Sequence, residues 1–226
     1  MIGTPRVHHR VADSTNERAR ELAAHGAPHG TLVTAGEQTA GRGRQGRAWV
    51  APAGSAVLMS LVVRELDERF PLLPLVAAVA VAEACESLAP VSCRIKWPND
   101  VWIERRKVAG ILVEGRPAEG WAVLGIGLNV GTVEFPDELR AIATAVDAGV
   151  EPALWAVVGS LAHWLGKEGD EVLAAWRERD ALLGASVSWN GGRGRGAGIT
   201  DSGALRVETD AGIVELDAGE VHLSGG

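Results

Sequence analysis

A chain of 226 residues, 46% hydrophobic and 23% charged, can bury a sizeable core without a disulfide or metal staple. Its formal net charge of −7 argues against a dedicated nucleic-acid binder, which carries a broad basic face. Its two cysteines, Cys85 and Cys93, make neither a zinc pattern nor a C-x-x-C redox pair, so a reduced cytoplasm is the expected home.

The first residues carry charges where a signal peptide needs its apolar core. Ser14-x-x-Glu17 fits a capping box that opens a helix running to Ala24, and Gly26–Gly30 ends it. Thr31–Ala35 reads as a buried strand, residues 36–47 as a polar Gly/Arg-rich loop, and Val57–Val63 as a second strand. Pro71–Leu88 reads as an apolar helix buried on most sides. Its longest apolar stretch, Phe70 to Ala82, is too short to span a bilayer and holds two prolines, so no membrane partner is expected. Strands follow at Cys93–Lys96, Val101–Glu104, Val108–Glu114 and Trp121–Val130, then helices at about 151–167 and 169–182. After Leu183 the helical period stops, and short alternating strands with Gly and Asp turns suggest a small β-barrel. The expected architecture is α+β. A mixed sheet flanked by helices spans residues 1–183, and a small β domain spans 184–226.

Three segments stand out chemically. Gly41-Arg42-Gly43-Arg44-Gln45-Gly46-Arg47 matches G-x-G-x-x-G, but a Rossmann site needs a helix there, and Pro52, Gly54 and a strand follow instead. Its glycines permit close backbone approach, and its arginines can grip phosphate oxygens bidentately. A solvated loop and an RNA-binding loop are the alternatives. No G-x-x-x-x-G-K-[ST] occurs, which argues against a P-loop nucleotidase. Lys96-Trp97-Pro98-Asn99-Asp100, followed by Lys107, sets two cations near one sheet edge; this is either a surface lysine pair or a charge trap for a carboxylate and a triphosphate. Gly125-Ile126-Gly127-Leu128-Asn129-Val130 puts glycines inside an apolar strand, which marks a close approach by a ligand or another backbone. The histidines suggest no metal site: Gly26 and Pro28 oppose a helix between His25 and His29, and His8-His9 reads as solvated.

In this order the segments resemble the biotin–protein ligases. The resemblance covers Ser14-Thr15-Asn16, the stretch Gln38 to Trp49, Lys96–Asp100, Arg106–Glu114 and Gly125–Val130, and it extends to a small SH3-like barrel over residues 184–226. It implies a biotin/lipoate ligase-like fold related to class II aminoacyl-tRNA synthetases. It also implies activation of biotin by ATP, with Mg2+, to biotinyl-5′-AMP, followed by transfer to a lysine of a biotin carboxyl carrier protein. Under that resemblance Lys107 and Arg44 are catalytic. Ser14, Thr15, Asn16, Gln38, Arg42, Gly43, Arg44, Trp49 and Lys107 bind biotin or the adenylate. Arg42, Lys96 and Asn129 bind ATP, with Asn129 facing the adenine, and Asp100 is a metal ligand or only fixes its turn. If Ser14 caps its own helix, its hydroxyl is less available to biotin. Gln45 stands where some members carry another basic residue. Larger relatives have an N-terminal winged helix that binds DNA; nothing here matches it, so no DNA partner is expected. Monomer and homodimer are both open.

Rival readings are a lipoate or octanoate transferase and a noncatalytic RNA-binding module. A second run, Gly191–Gly198, echoes the first arginine loop but reads as a turn between barrel strands.

Overall fold

The computed structural model describes residues 1–64 and 66–224, so the last two residues of the 184–226 unit lie outside the description. The chain builds a seven-stranded mixed sheet from β1 (Arg6–His9), β2 (Leu32–Ala35), β3 (Ala56–Arg64), β4 (Cys93–Lys96), β5 (Asp100–Ile103), β6 (Arg106–Arg116) and β7 (Trp121–Asn129). The strand order is β1-β2-β3-β7-β6-β5-β4. Only β1 and β2 are parallel; the other neighbours are antiparallel.

Each face of this sheet is covered differently. Helix α1 (Thr15–Ala24) packs Ala19 and Ala23 on Val33, Val62 and Val123. Helix α2 (Leu73–Leu88) and helix α4 (Val150–Trp164) cover the other face, over Met59, Leu61, Leu124 and Ile126. A short helix α3 (Asp137–Arg140) precedes α4. The apolar helical run extends from Phe70 to Leu88, 19 residues, so length alone does not exclude a membrane span as the sequence reading held. Residues such as Ala77–Ala82 lie in the core beneath the sheet, and this run packs as a core helix.

Helix α5 (Gly169–Arg177) stops five residues before the position read from sequence. There the backbone turns to cover the edge of β4: Ile95 N–H donates to Arg179 O at 2.7 Å, and Ala181 N–H donates to Ile95 O at 2.9 Å. Strand pairing satisfies an otherwise open edge, and it outweighs helical periodicity.

The C-terminal strands are β8 (Ser186–Trp189), β9 (Gly192–Ile199), β10 (Leu205–Thr209), β11 (Gly212–Leu216) and β12 (Val221–Leu223). They form a second, antiparallel sheet in the order β11-β10-β9-β8-β12. The Gly191–Gly198 run is thus mostly strand rather than turn. A side chain at Gly194 would strike the Glu208 carbonyl, and one at Gly196 the Leu182 carbonyl, so these glycines serve close packing. Val187, Leu205, Val207 and Val221 belong to the same apolar cluster as α2 and the first sheet, so the two sheets share one core. Trp97, buried in the turn after β4, donates from Nε1 to Gly203 O at 2.9 Å and pins the second sheet to the first.

Candidate active site

The start of α1, the 38–49 loop, the β4–β5 turn, the middle of β6 and β7 and the segment entering β12 line a cleft of about 130 Å3. Ser14, Thr15, Asn16, Gln38, Arg42, Gly43, Arg44, Trp49, Lys96, Asp100 and Lys107 all line it. Asn129 is not in that lining; its amide donates to Thr144 O at 3.1 Å at the end of β7.

One end of the cleft is neutral and polar. The capping box read from sequence does not form: among the described residues the Ser14 hydroxyl makes no cap bond, and Glu17 turns to Arg20 and Arg42 instead. The first helical N–H, that of Thr15, donates to Gln38 Oε1 at 2.7 Å, and the Thr15 hydroxyl donates to the same oxygen at 3.0 Å. A loop residue therefore takes the place of an N-cap. Because Gln38 Oε1 is occupied, its Nε2 remains as a donor, and the Ser14 hydroxyl stays available to a ligand.

The other end is cationic. Lys107 Nζ pairs with Asp100 Oδ1 at 2.7 Å and lies 5.6 Å from the Trp49 ring centroid. Lys96 Nζ lies 5.4 Å from the Trp102 ring. Burial lowers the Lys96 pKa below the usual lysine value; Lys107 and Arg47 nearby push the same way, and Asp100 opposes them. Burial likewise lowers the Arg44 pKa, against the pull of Asp100 and Glu220.

The three arginines of the loop have different surroundings. Arg42 Nη1 lies 2.9 Å from Glu17 Oε2. Arg47 pairs with Glu220. Arg44, half-buried, donates to Asn99 Oδ1 at 3.2 Å and reaches Gly219 O at 3.5 Å. Gly43 N–H is already bonded to Arg47 O at 2.7 Å, closing the loop on itself. The glycines of β6 and β7 do mark a close approach, but by side chains. Gly110 and Gly127 face each other across the two strands, and the Trp49 indole lies over both; Gly125 makes room for Asn16.

Sequence reasoning assigned no role to four residues that complete this arrangement: Ser60, Asn99, Glu114 and Glu220. Ser60 has a visible signal, a hydroxyl inside an otherwise apolar strand.

The donor set does not form a resident magnesium cage. Among the described residues no three His, Cys, Asp or Glu side chains cluster. The cleft carboxylates Asp100 and Glu220 are each paired with a cation. Magnesium arriving on a triphosphate keeps most of its water and needs only one or two carboxylates.

Comparison with known proteins bears on this geometry. Residues 8–131 match the biotin/lipoate A/B protein ligase family, and residues 193–224 match the biotin protein ligase C-terminal domain. The bifunctional ligase/repressor BirA of Bacillus subtilis is 35% identical, aligned over 99% of this chain and 75% of its own length. The biotin–[acetyl-CoA-carboxylase] ligase of Mycobacterium tuberculosis is 34% identical over 93% of this chain and 86% of its own. The biotin protein ligase of Aquifex aeolicus, solved with biotin and ATP, superposes with a TM-score of 0.87 at 29% identity, over 98% of this chain and all of that one. With the family model matched over more than half of its length and a relative 35% identical across 99% of it, the chain belongs to the biotin/lipoate A/B protein ligase family.

Proposed function

We propose that the chain is an ATP-dependent ligase that attaches biotin to a lysine of a biotin carboxyl carrier protein, such as that of acetyl-CoA carboxylase. The biotin carboxylate attacks the α-phosphorus of ATP, the bond to the β-phosphate oxygen breaks, and pyrophosphate leaves. The neutral amine of a carrier lysine then attacks the carbonyl carbon of biotinyl-5′-AMP. The carbon–oxygen bond to phosphate breaks, AMP leaves, and the amine gives up a proton. The C-terminal domain match and the named ligases support biotin over lipoate or octanoate.

Under this reading Lys107 draws the carboxylate and α-phosphate together and stabilises the charge that develops on the phosphate. Asp100 orients Lys107. Lys96 meets the outer phosphates. Arg44 holds the adenylate from the loop side, while Arg42 anchors the loop. Gln38 donates to the ureido carbonyl, Thr15 and Ser14 accept from the ureido N–H groups, and Trp49 supplies an apolar wall. Asn129 meets the adenine. Residues 1–183 carry the chemistry, and 184–226 complete the mouth of the cleft through Gly219 and Glu220. The −7 charge supports a protein partner rather than DNA. The buried Phe70–Leu88 helix supports a cytoplasmic home. Pairing of two chains through the open edge of β1 is the route to a homodimer, tested by sedimentation.

The observation that carries the reading is the single cleft with the Lys107–Asp100 pair and Arg44 at one end and the Thr15–Gln38 bonds at the other. Pyrophosphate release with ATP and biotin, lipoate or octanoate tests it. Turnover with biotin alone is expected; turnover with none of the acids sinks it.

A further inference from the structure

Ser60 occupies the middle of β3 with no exposed surface. A buried hydroxyl needs a partner, and this one has two. Its Oγ lies 2.6 Å from Asn16 Oδ1 and 2.8 Å from Thr15 Oγ1. Asn16 Nδ2 in turn donates to Glu114 Oε2 at 2.8 Å. Directly across the β3–β7 pairing from Ser60 is Gly125, where any Cβ would overlap the Asn16 amide. Ser60, Gly125 and Glu114 thus hold Asn16 with its oxygen toward β3 and its nitrogen toward β6.

A serine hydroxyl has one proton to give. Among the described residues Ser60 is the donor to Asn16 Oδ1, at the shorter of its two distances. With the Ser60 proton given to Asn16, the Thr15 proton is shared between Ser60 Oγ at 2.8 Å and Gln38 Oε1 at 3.0 Å. The Thr15 oxygen then keeps acceptor capacity toward the cleft, and Gln38 keeps its N–H groups. A cyclic urea has one carbonyl acceptor flanked by N–H donors, the complement of this pattern.

We propose that Ser60 is a positioning residue for ureido recognition, fixing Asn16 and, through the order of protons, the acceptor presented by Thr15. This rests on the ligase reading. It is tested with Ser60→Ala and Ser60→Cys in biotin-dependent pyrophosphate release. The probes are biotin and 2-iminobiotin, in which an imino nitrogen replaces the ureido oxygen. Loss of a buried hydrogen-bond donor is expected to raise KM for biotin roughly tenfold in Ser60→Ala. KM for ATP and kcat should change less than about twofold, the preference for biotin over 2-iminobiotin should fall, and Ser60→Cys, with its weak S–H donor, should recover part of it. An unchanged KM for biotin overturns the proposal. So does a parallel rise in both KM values with an unaltered preference, which would indicate a merely structural serine. If the unaltered chain releases no pyrophosphate with biotin, the ligase reading itself fails and the role of Ser60 falls with it.

Discussion

Lys107 reaches across from β6 to Asp100 at the start of β5, and the 2.7 Å pair points into the cleft rather than out to solvent. The pair forms beside a register shift between Val101 and Trp102, where β5 and β6 pass out of simple alternation. Such irregularities re-aim side chains. Lys107→Ala should lower adenylate formation by about 10²–10³-fold, the usual effect of removing a preorganised charge stabiliser. Asp100→Asn keeps the shape and loses the tether, and we expect a loss nearer tenfold with an unchanged magnesium requirement. Initial rates of pyrophosphate release across a magnesium titration check both; a much higher magnesium requirement in Asp100→Asn would make Asp100 a metal ligand instead.

Arg44 differs from its two neighbours because it is tethered to the rigid β4–β5 turn through Asn99 and to the second sheet through Gly219. It can therefore hold a product in place while the loop stays closed. Arg44→Gly should still make adenylate but release it early. Biotin should then appear on bystander lysines of an added unrelated protein, with labelling raised at least severalfold. Labelling equal to the unaltered enzyme removes the retaining role.

The glycine floor gives a sharper contrast. A methyl at Gly127 would run into the Trp49 indole, whereas one at Gly43 meets only ordinary contacts, 3.4 Å to Arg47 O. Gly127→Ala should displace Trp49 and with it the seat of the loop, raising both substrate KM values by about tenfold, since small misplacements in a preorganised site are costly. Gly43→Ala should stay within about twofold of the unaltered chain. Equal behaviour of the two variants would mean that the strand glycines serve the ligand directly.

The legible parts of this protein were those encoded locally. The arginine loop, Lys96–Asp100 and the glycine strand are short patterns, and each lies at the cleft. Strand β1 was missed because four residues with the polar pair His8-His9 show no apolar alternation; its partner β2 lies more than twenty residues on. The Gly191–Gly198 run misled because glycine signals turns when read alone, yet Gly194 and Gly196 are set by carbonyls of Glu208 and Leu182. The division of labour among Arg42, Arg44 and Arg47 depends on Glu17, Asn99 and Glu220, and Glu220 is 173 residues from its partner. No window along the chain contains such a pair.

Lys96 provides a test of the cationic end through pH. Its folded pKa lies below the 10.5 of an ordinary lysine, with burial the largest cause. Between the folded and unfolded values the unfolded chain binds more protons, so this group makes stability rise with pH across that window. Below the folded value the full cost of burying the charge is present; above 10.5 it is gone. Lys96→Met should therefore be more stable than the unaltered chain at neutral pH, by a margin that shrinks as pH rises toward 10. Taking the difference between the two proteins cancels alkaline titrations that they share. A triphosphate at this end would favour the charged lysine, so ATP should bind the unaltered chain more tightly than Lys96→Met at pH 7, with that advantage also fading by pH 10. Denaturant midpoints and ATP-binding isotherms at pH 7 and 10 measure both trends. A stability difference that stays constant between those pH values would show that Lys96 is not held at a lowered pKa, and an ATP-binding advantage that stays constant would remove the charge-trap role.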